Sequence, residues 1–245
     1  MAAPLLQIEN VGKRFGGFVA LDGINLTVAQ GERVGLIGPN GSGKSTLVNC
    51  MCGTLQNDTG QVVFDGHVMN GLSAHQRARR GIARSFQLPR PFSTLSVAEN
   101  LRIPLLYAAH TRRGRHLSHD EIGSRCLELA GLVGLAAKAD RLPGDLTQVE
   151  MRKLELARAV AVDPKLLIAD EAMAGLSHSE VDEIVALLIA MNERGVTIIM
   201  IEHIMRAVMA FSQRLVVLVT GKKIADGTPQ EVVSHPEVIG AYLGQ

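Results

Sequence analysis

The spacing of apolar residues changes along the chain, and each change predicts a different kind of element. Up to about residue 69 they fall in short runs, "LLQIENVGKRF", "INLTV", "RVGLIG" and "QVVFDGHVM", parted by Gly, Asp and Asn, which predicts strands joined by turns. Residues 72–85 predict a short basic helix followed by a strand, "GIARSF". From about 88 to 158 the period becomes helical. Ser96 with Glu99, Ser118 with Glu121 and Thr147 with Glu150 each have capping-box spacing ahead of an apolar stripe. Between the first two of these helices, "HTRRGRHLSH" is polar and basic and predicts a solvated loop, and its His residues form no metal-ligand pattern. Continuous apolar runs then return in "KLLIAD", "VTIIMIEH" and "RLVVLV", as expected of strands buried on both faces of a parallel sheet. Between the first two, Ser177 with Glu180 opens a helix that Gly195 ends. No internal repeat is visible.

One segment changes this picture from pattern to chemistry. In "GLIGPNGSGKSTLV", Gly38 is followed after four residues by Gly43-Lys44-Ser45, with a strand before and a helix after, the pattern of a phosphate-binding loop. Glycines let successive N–H groups point at phosphate, at the positive end of the next helix. The expected nucleotide contacts are Gly38, Asn40, Gly41, Ser42, Gly43, Lys44, Ser45 and Thr46, with Lys44 reaching the β/γ-phosphates and the Ser45 hydroxyl binding Mg2+. In "KLLIADE", Asp170 ends a buried strand and is placed to hold Mg2+ through water. The adjacent Glu171 is the candidate general base toward an attacking water.

Composition narrows the class. The chain has 245 residues, 47% hydrophobic and 20% charged, enough for one large or two small globular domains. A net charge of +1 offers no footprint for nucleic acid. Cys50, Cys52 and Cys126 cannot all pair and read as reduced, buried thiols of a cytosolic protein. No apolar run approaches the roughly 18–20 residues that cross a bilayer, and the first residues lack the features of a secretion signal. Any service to a membrane is expected from outside the lipid.

Together these residues resemble the ATP-binding cassette of ABC transporters over essentially the whole chain. Further landmarks of that family fall in order: "KRFGG", "ARSFQ", "AGLS" and "IMIEH". The resemblance implies an α/β, P-loop NTPase (RecA-like) core with an N-terminal antiparallel β subdomain and an inserted α-helical subdomain. Residues 1–87 and 159–225 would form the core, 88–158 the helical subdomain and 226–245 a helical tail. It also implies that Phe15 stacks on adenine, with Phe18 as a rival and a core Phe as the bland reading. Gln87 would touch Mg2+ and the attacking water, Ala174–Ser177 would form the loop across the dimer interface, and His203 would contact the γ-phosphate. "GIARSFQLPRPFSTLSVAENL" and the tail "GTPQEVVSHPEVIGAYLG" are similar to ATPase subunits of branched-chain and hydrophobic amino-acid importers. The implied partners are a second ATPase subunit, hetero or homo, two membrane permease subunits and, indirectly, a periplasmic binding protein. The implied place is the inner face of the cell membrane. DNA-repair and translation cassettes carry long coiled coils or tandem cassettes, and neither pattern is present.

The resemblance weakens at one point. Where the family reads phosphate on a partner with Ser, two glycines and Gln, this chain has Thr147-Gln148-Val149-Glu150. Thr147 keeps the hydroxyl. Gln148 and Val149 add side chains where backbone must approach phosphate. Glu150 brings a negative charge whose repulsion would cost on the order of a kcal/mol, although the capping box offers it another role at its own helix start. Ala172 and Ser177 also depart from the family's usual Pro and Asp or Asn. The expectation is an ATP-hydrolysing importer subunit working in a symmetric or asymmetric dimer. The alternative is an ATP-binding regulatory or structural subunit with little hydrolysis of its own.

Overall fold

The computed structural model describes residues 4–86, 89–112 and 117–243. An antiparallel sheet forms first, from β1 (Leu6–Phe15), β2 (Phe18–Val28), β4 (Thr59–Phe64) and β5 (His67–Val68), in the order β2-β1-β4-β5. β3 (Arg33–Ile37) leaves it for a second sheet with β6 (Ile82–Ser85), β7 (Leu166–Asp170), β8 (Thr197–Ile201), β9 (Arg214–Val219) and β10 (Lys222–Gly227), in the order β10-β9-β3-β8-β7-β6. Within the second sheet β3, β6, β7, β8 and β9 run parallel, and β10 closes the edge antiparallel to β9.

The continuous apolar runs follow from burial on both faces. Along β7, Leu166 and Ile168 enter one core while Leu167 and Ala169 enter the other; in β8, Ile199 and Ile201 alternate with Ile198 and Met200 in the same way. One core lies under the antiparallel sheet and α1 (Lys44–Cys52); the other lies under α5 (Gln148–Ala161), α6 (His178–Glu193) and α7 (Met205–Phe211). Each Leu or Ile buried this completely contributes roughly 1.5–3 kcal/mol.

α2 (Ala74–Arg80) precedes β6; α3 (Val97–Arg112) and α4 (His119–Leu132) pack on α5, and α8 (Pro229–Val233) and α9 (Pro236–Leu243) end the chain. The expected capping boxes form at Ser96–Glu99, Ser118–Glu121, Thr147–Glu150 and Ser177–Glu180. Gly195 follows α6 at φ +94°, donating its N–H to Asn192 O. Two strands exceed the expectation. β2 begins at Phe18 because register shifts in β1 absorb the Asp22-Gly23 interruption, which had hidden the strand's first half. β10 is too charged to read as a strand, and it exists because the turn at Thr220-Gly221, both at positive φ, folds it back onto β9. Among the described residues no helix is long and apolar enough to cross a membrane.

Asn100 on α3 pins the loop before that helix. It is fully buried; its Nδ2 donates to Phe92 O, Leu95 O and Ser96 O, and its Oδ1 accepts from Phe92 N–H at 2.8 Å. Asn100→Ala takes the acceptor from the Phe92 N–H and cuts the amide's ties to Phe92 O, Leu95 O and Ser96 O, and is expected to cost about 2–4 kcal/mol, read as a lower denaturant midpoint at unchanged slope. An unchanged midpoint would remove Asn100 as the pin.

Candidate nucleotide site

The parallel strands deliver their carboxyl ends side by side, with Asp170 in register with Ile201 and Leu36 with Ile201. A crevice at such ends is where an open α/β sheet holds ligands. β3 leads into residues 38–43 and then α1. Gly38 has φ +153°, and a Cβ there would lie 2.1 Å from Leu218 O. Gly43, the N-cap of α1, has φ +102°, and a Cβ would meet Ala20 O at 2.7 Å. No side chain fits at either place, so the glycines of the motif are a packing requirement of β2 and β9 as well as a phosphate cradle. The turn after β9 braces the loop again, with Gly221 N–H donating to Ser42 O at 3.0 Å.

Lys44 opens α1 with its Nζ 2.6 Å from Gly38 O and 3.0 Å from Pro39 O, curled around its own loop. Burial lowers its pKa below the usual 10.5, against the opposing pull of Glu171 and Asp170. Ser45, Asp170 and Glu171 line one cavity of about 490 Å3 with Arg84, Glu155 and Arg158. Glu171 sits at φ +47°, its N–H bound to Ile201 O at 2.9 Å. A non-glycine residue held in this region costs of order 1–3 kcal/mol, and here the residue is the carboxylate next to the phosphate loop. Asn40 and Gly41 are exposed on the loop, Ser42 is buried beneath it, and Thr46 lies half-buried in the first turn of α1. Loop glycines where no side chain fits, the Lys44 ammonium on that loop, and a hydroxyl and two carboxylates lining the adjoining cavity suit a nucleotide with its Mg2+.

Phe15 and Phe18 are both exposed, at 51% and 63%, and flank the β1–β2 turn, with Lys13 Nζ 5.7 Å from the Phe15 ring centre. Neither is a core residue. His203 follows β8 with its side chain 68% exposed. Gln87 lies outside the described residues, as do 113–116 of the basic loop.

Thr147 is the N-cap of α5, its hydroxyl oxygen accepting from Glu150 N–H. Glu150 turns back onto the cap, accepting from Thr147 N–H at 2.9 Å and from Lys138 Nζ at 2.8 Å. The Lys138 ammonium, then the Thr147 N–H, hold its carboxyl below the usual carboxylate range. The charge expected to repel a partner's phosphate therefore carries its own cation. Gln148 is exposed and its Nε2 lies against Gly175. Ser177 is spent on capping α6.

Sequence reading missed three polar groups. Arg84 places Nη2 2.5 Å and Nε 3.2 Å from Asp170 Oδ2 and Nη1 2.8 Å from Asn49 Oδ1, tying the strand carboxylate to α1. Glu155 is buried, which raises its pKa against the pull of Arg158; it accepts the N–H groups of Phe86 and Arg90. Glu202 is 2% exposed at the end of β8. Their signal was an ionisable residue at an inward position of an apolar run, as in "LELARAV" and "TIIMIE".

This fold and site are those of a nucleotide-binding cassette. The ABC transporter family pattern matches residues 21–174, and that of branched-chain amino acid ATP-binding cassette transporters matches 222–245. The chain is 37% identical to the high-affinity branched-chain amino acid transport ATP-binding protein BraF of Pseudomonas aeruginosa and 36% to LivG of Escherichia coli, covering all of each. The ADP conformation of MJ1267, an ATP-binding cassette of an ABC transporter, superposes with a TM-score of 0.88 at 29% identity over the whole of both chains. The chain belongs to the ABC transporter ATP-binding family, in its branched-chain amino-acid branch, and is an ATPase of that family.

Proposed function

We propose that this chain is the ATP-hydrolysing subunit of an importer for branched-chain amino acids or related small solutes, docked on two permease subunits at the inner face of the membrane. A binding protein would feed the permeases from outside. What carries the reading is the cavity that Ser45, Asp170 and Glu171 line together beside the phosphate loop, in a chain alike from end to end to branched-chain amino acid transport ATP-binding proteins. Phe15 or Phe18 would stack on the adenine. The loop N–H groups and Lys44 would bind the phosphates, His203 would meet the γ-phosphate, and Glu171 would orient and deprotonate the attacking water. Ser45 and Asp170, with Gln87, would hold Mg2+, which when bound neutralises charge building on the β/γ oxygens. The helical segment 88–158 would carry the closing motion to the permeases as a rigid body, with α5 continuing to Ala161 as its link to the core.

Two cassettes would close face to face, and in our reading they differ. ATP on this chain is cleaved when a partner ATPase with a glycine signature closes over it. The opposite site, closed by Thr147–Glu150, turns over slowly, because Gln148 and Val149 hold backbone away from phosphate even with Glu150 neutralised by Lys138. The test is turnover by the assembled transporter with Glu171 neutralised, compared with the equivalent carboxylate of the partner neutralised. The Glu171 variant should lose most of the activity and the other little. Equal losses would sink the asymmetry, and no leucine-stimulated turnover in the parent would sink the substrate class.

A further inference from the structure

The buried carboxylate of Glu202 is only partly satisfied. Its side chain is 1% exposed. Oε1 accepts the N–H of Met173 at 2.9 Å, in the turn after Glu171. Oε2 has no hydrogen-bond partner among the described residues and lies 4.0 Å from Nδ1 of His203. A buried carboxylate oxygen left this way is costly, and native proteins normally resolve such a group with a donor. The backbone N–H of His203 also faces this carboxylate, and Nδ1 of its exposed ring, at 4.0 Å, is the side-chain donor beside Oε2.

The same turn is gripped from its other side. Arg152 of α5, itself buried, donates from Nη2 to Ala174 O at 3.2 Å, and Glu202 and Arg152 attract each other through the protein. Met173 and Ala174 are thus held between an acid at the end of β8 and a base on α5. Glu171, two residues before Met173, is the other charge facing Glu202, and it repels.

We propose that Glu202 is the positioning residue of His203, accepting a hydrogen bond from Nδ1–H on Oε2 while Oε1 holds the Met173 turn, so that the loop across the dimer interface sets the orientation of the switch ring. Fixing Nδ1 fixes the ring plane and leaves Nε2 facing phosphate, to which it donates when the ring carries both protons, the arrangement by which a carboxylate orients a working imidazole elsewhere. A shift of the 173–174 turn on dimer closure would then turn the ring through one carboxylate, with Arg152 carrying the same shift into the helix that begins at Thr147. The idea rests on His203 as the γ-phosphate contact, and the experiment separates the two.

Glu202→Gln is the informative variant, because its carboxamide oxygen still accepts from Met173 while its NH2 group cannot accept from Nδ1–H. In the isolated chain, the ring-nitrogen resonances of 15N-labelled His203 should report a hydrogen-bonded Nδ1–H in the parent and the loss of that bond in Glu202→Gln, at matched thermal stability. In the assembled transporter, Glu202→Gln should lower kcat about tenfold with KM for ATP within twofold, and Glu202→Asp, which keeps the charge, should recover part of the loss. Identical His203 resonances in parent and variant would overturn the proposal, as would a kcat loss that Glu202→Asp deepens. A parent with no ATP turnover would count against the role of His203 at phosphate, while the ring-nitrogen comparison would still decide what Glu202 does.

Discussion

Glu171→Gln is expected to lower ATP turnover at least about a hundredfold while leaving nucleotide affinity near that of the parent. The carboxylate adjoins Asp170 at the end of β7, shares a cavity with Ser45, and is held at φ +47° by its N–H bond to Ile201 O. Removing a positioned general base costs typically 10²–10⁴-fold, and a carboxamide of the same shape keeps the backbone strain and the packing. Binding is retained, because the proposed phosphate contacts are residues 38–46, and these are untouched. The variant should therefore accumulate the ATP-bound form. Its mass in solution, with and without Mg2+-ATP, adds a second readout. A dimer formed only with nucleotide would mean that Gln148 and Val149 tolerate closure over phosphate. A monomer that binds ATP would point to a different partner cassette. Turnover like the parent's would remove Glu171 as the base.

Lys44→Ala is expected to weaken Mg2+-ATP binding by about a hundredfold and to bring turnover below detection. The Nζ sits within 2.6–3.0 Å of the Gly38 and Pro39 carbonyls, at the centre of the loop where phosphate oxygens would lie. A hydrogen bond to a charged group is worth about 1.5–3 kcal/mol, and Lys44 would offer more than one. Burial also lowers its pKa, so the ammonium is lost at lower pH than on an exposed lysine, and affinity for ATP should fall on the alkaline side sooner than surface lysines titrate. Lys44→Arg keeps the charge in a planar group too large for a loop that curls around the ammonium, and should restore little. Fluorescent-nucleotide titration measures all three effects. A Kd for Lys44→Ala within twofold of the parent would show that the loop's N–H groups alone hold the phosphates.

The order and type of the principal elements were legible in the sequence because they depend on short-range physics. Continuous apolar runs such as "KLLIAD" must be buried on both faces, Ser or Thr three residues ahead of Glu caps a helix wherever it stands, and a glycine loop between strand and helix needs no distant residue to be understood. The phosphate loop, Asp170 and Glu171 were located on that basis, and His203 by the resemblance to the ABC cassette. What lay beyond the sequence depended on contacts between distant residues. The first half of β2 is a strand only because β1 shifts register, and Gly38 must be glycine partly because Leu218 O passes beside it. Glu150 looked like a charge facing phosphate until Lys138, twelve residues earlier, was seen to hold it on its own cap. Arg84 on Asp170, and Glu202 between Met173 and His203, join strands and turns far apart in the chain. A sequence states which residues carry charge; which charges meet is decided when parallel strands bring their ends together and exclude water, so that every polar group left inside must find its partner there.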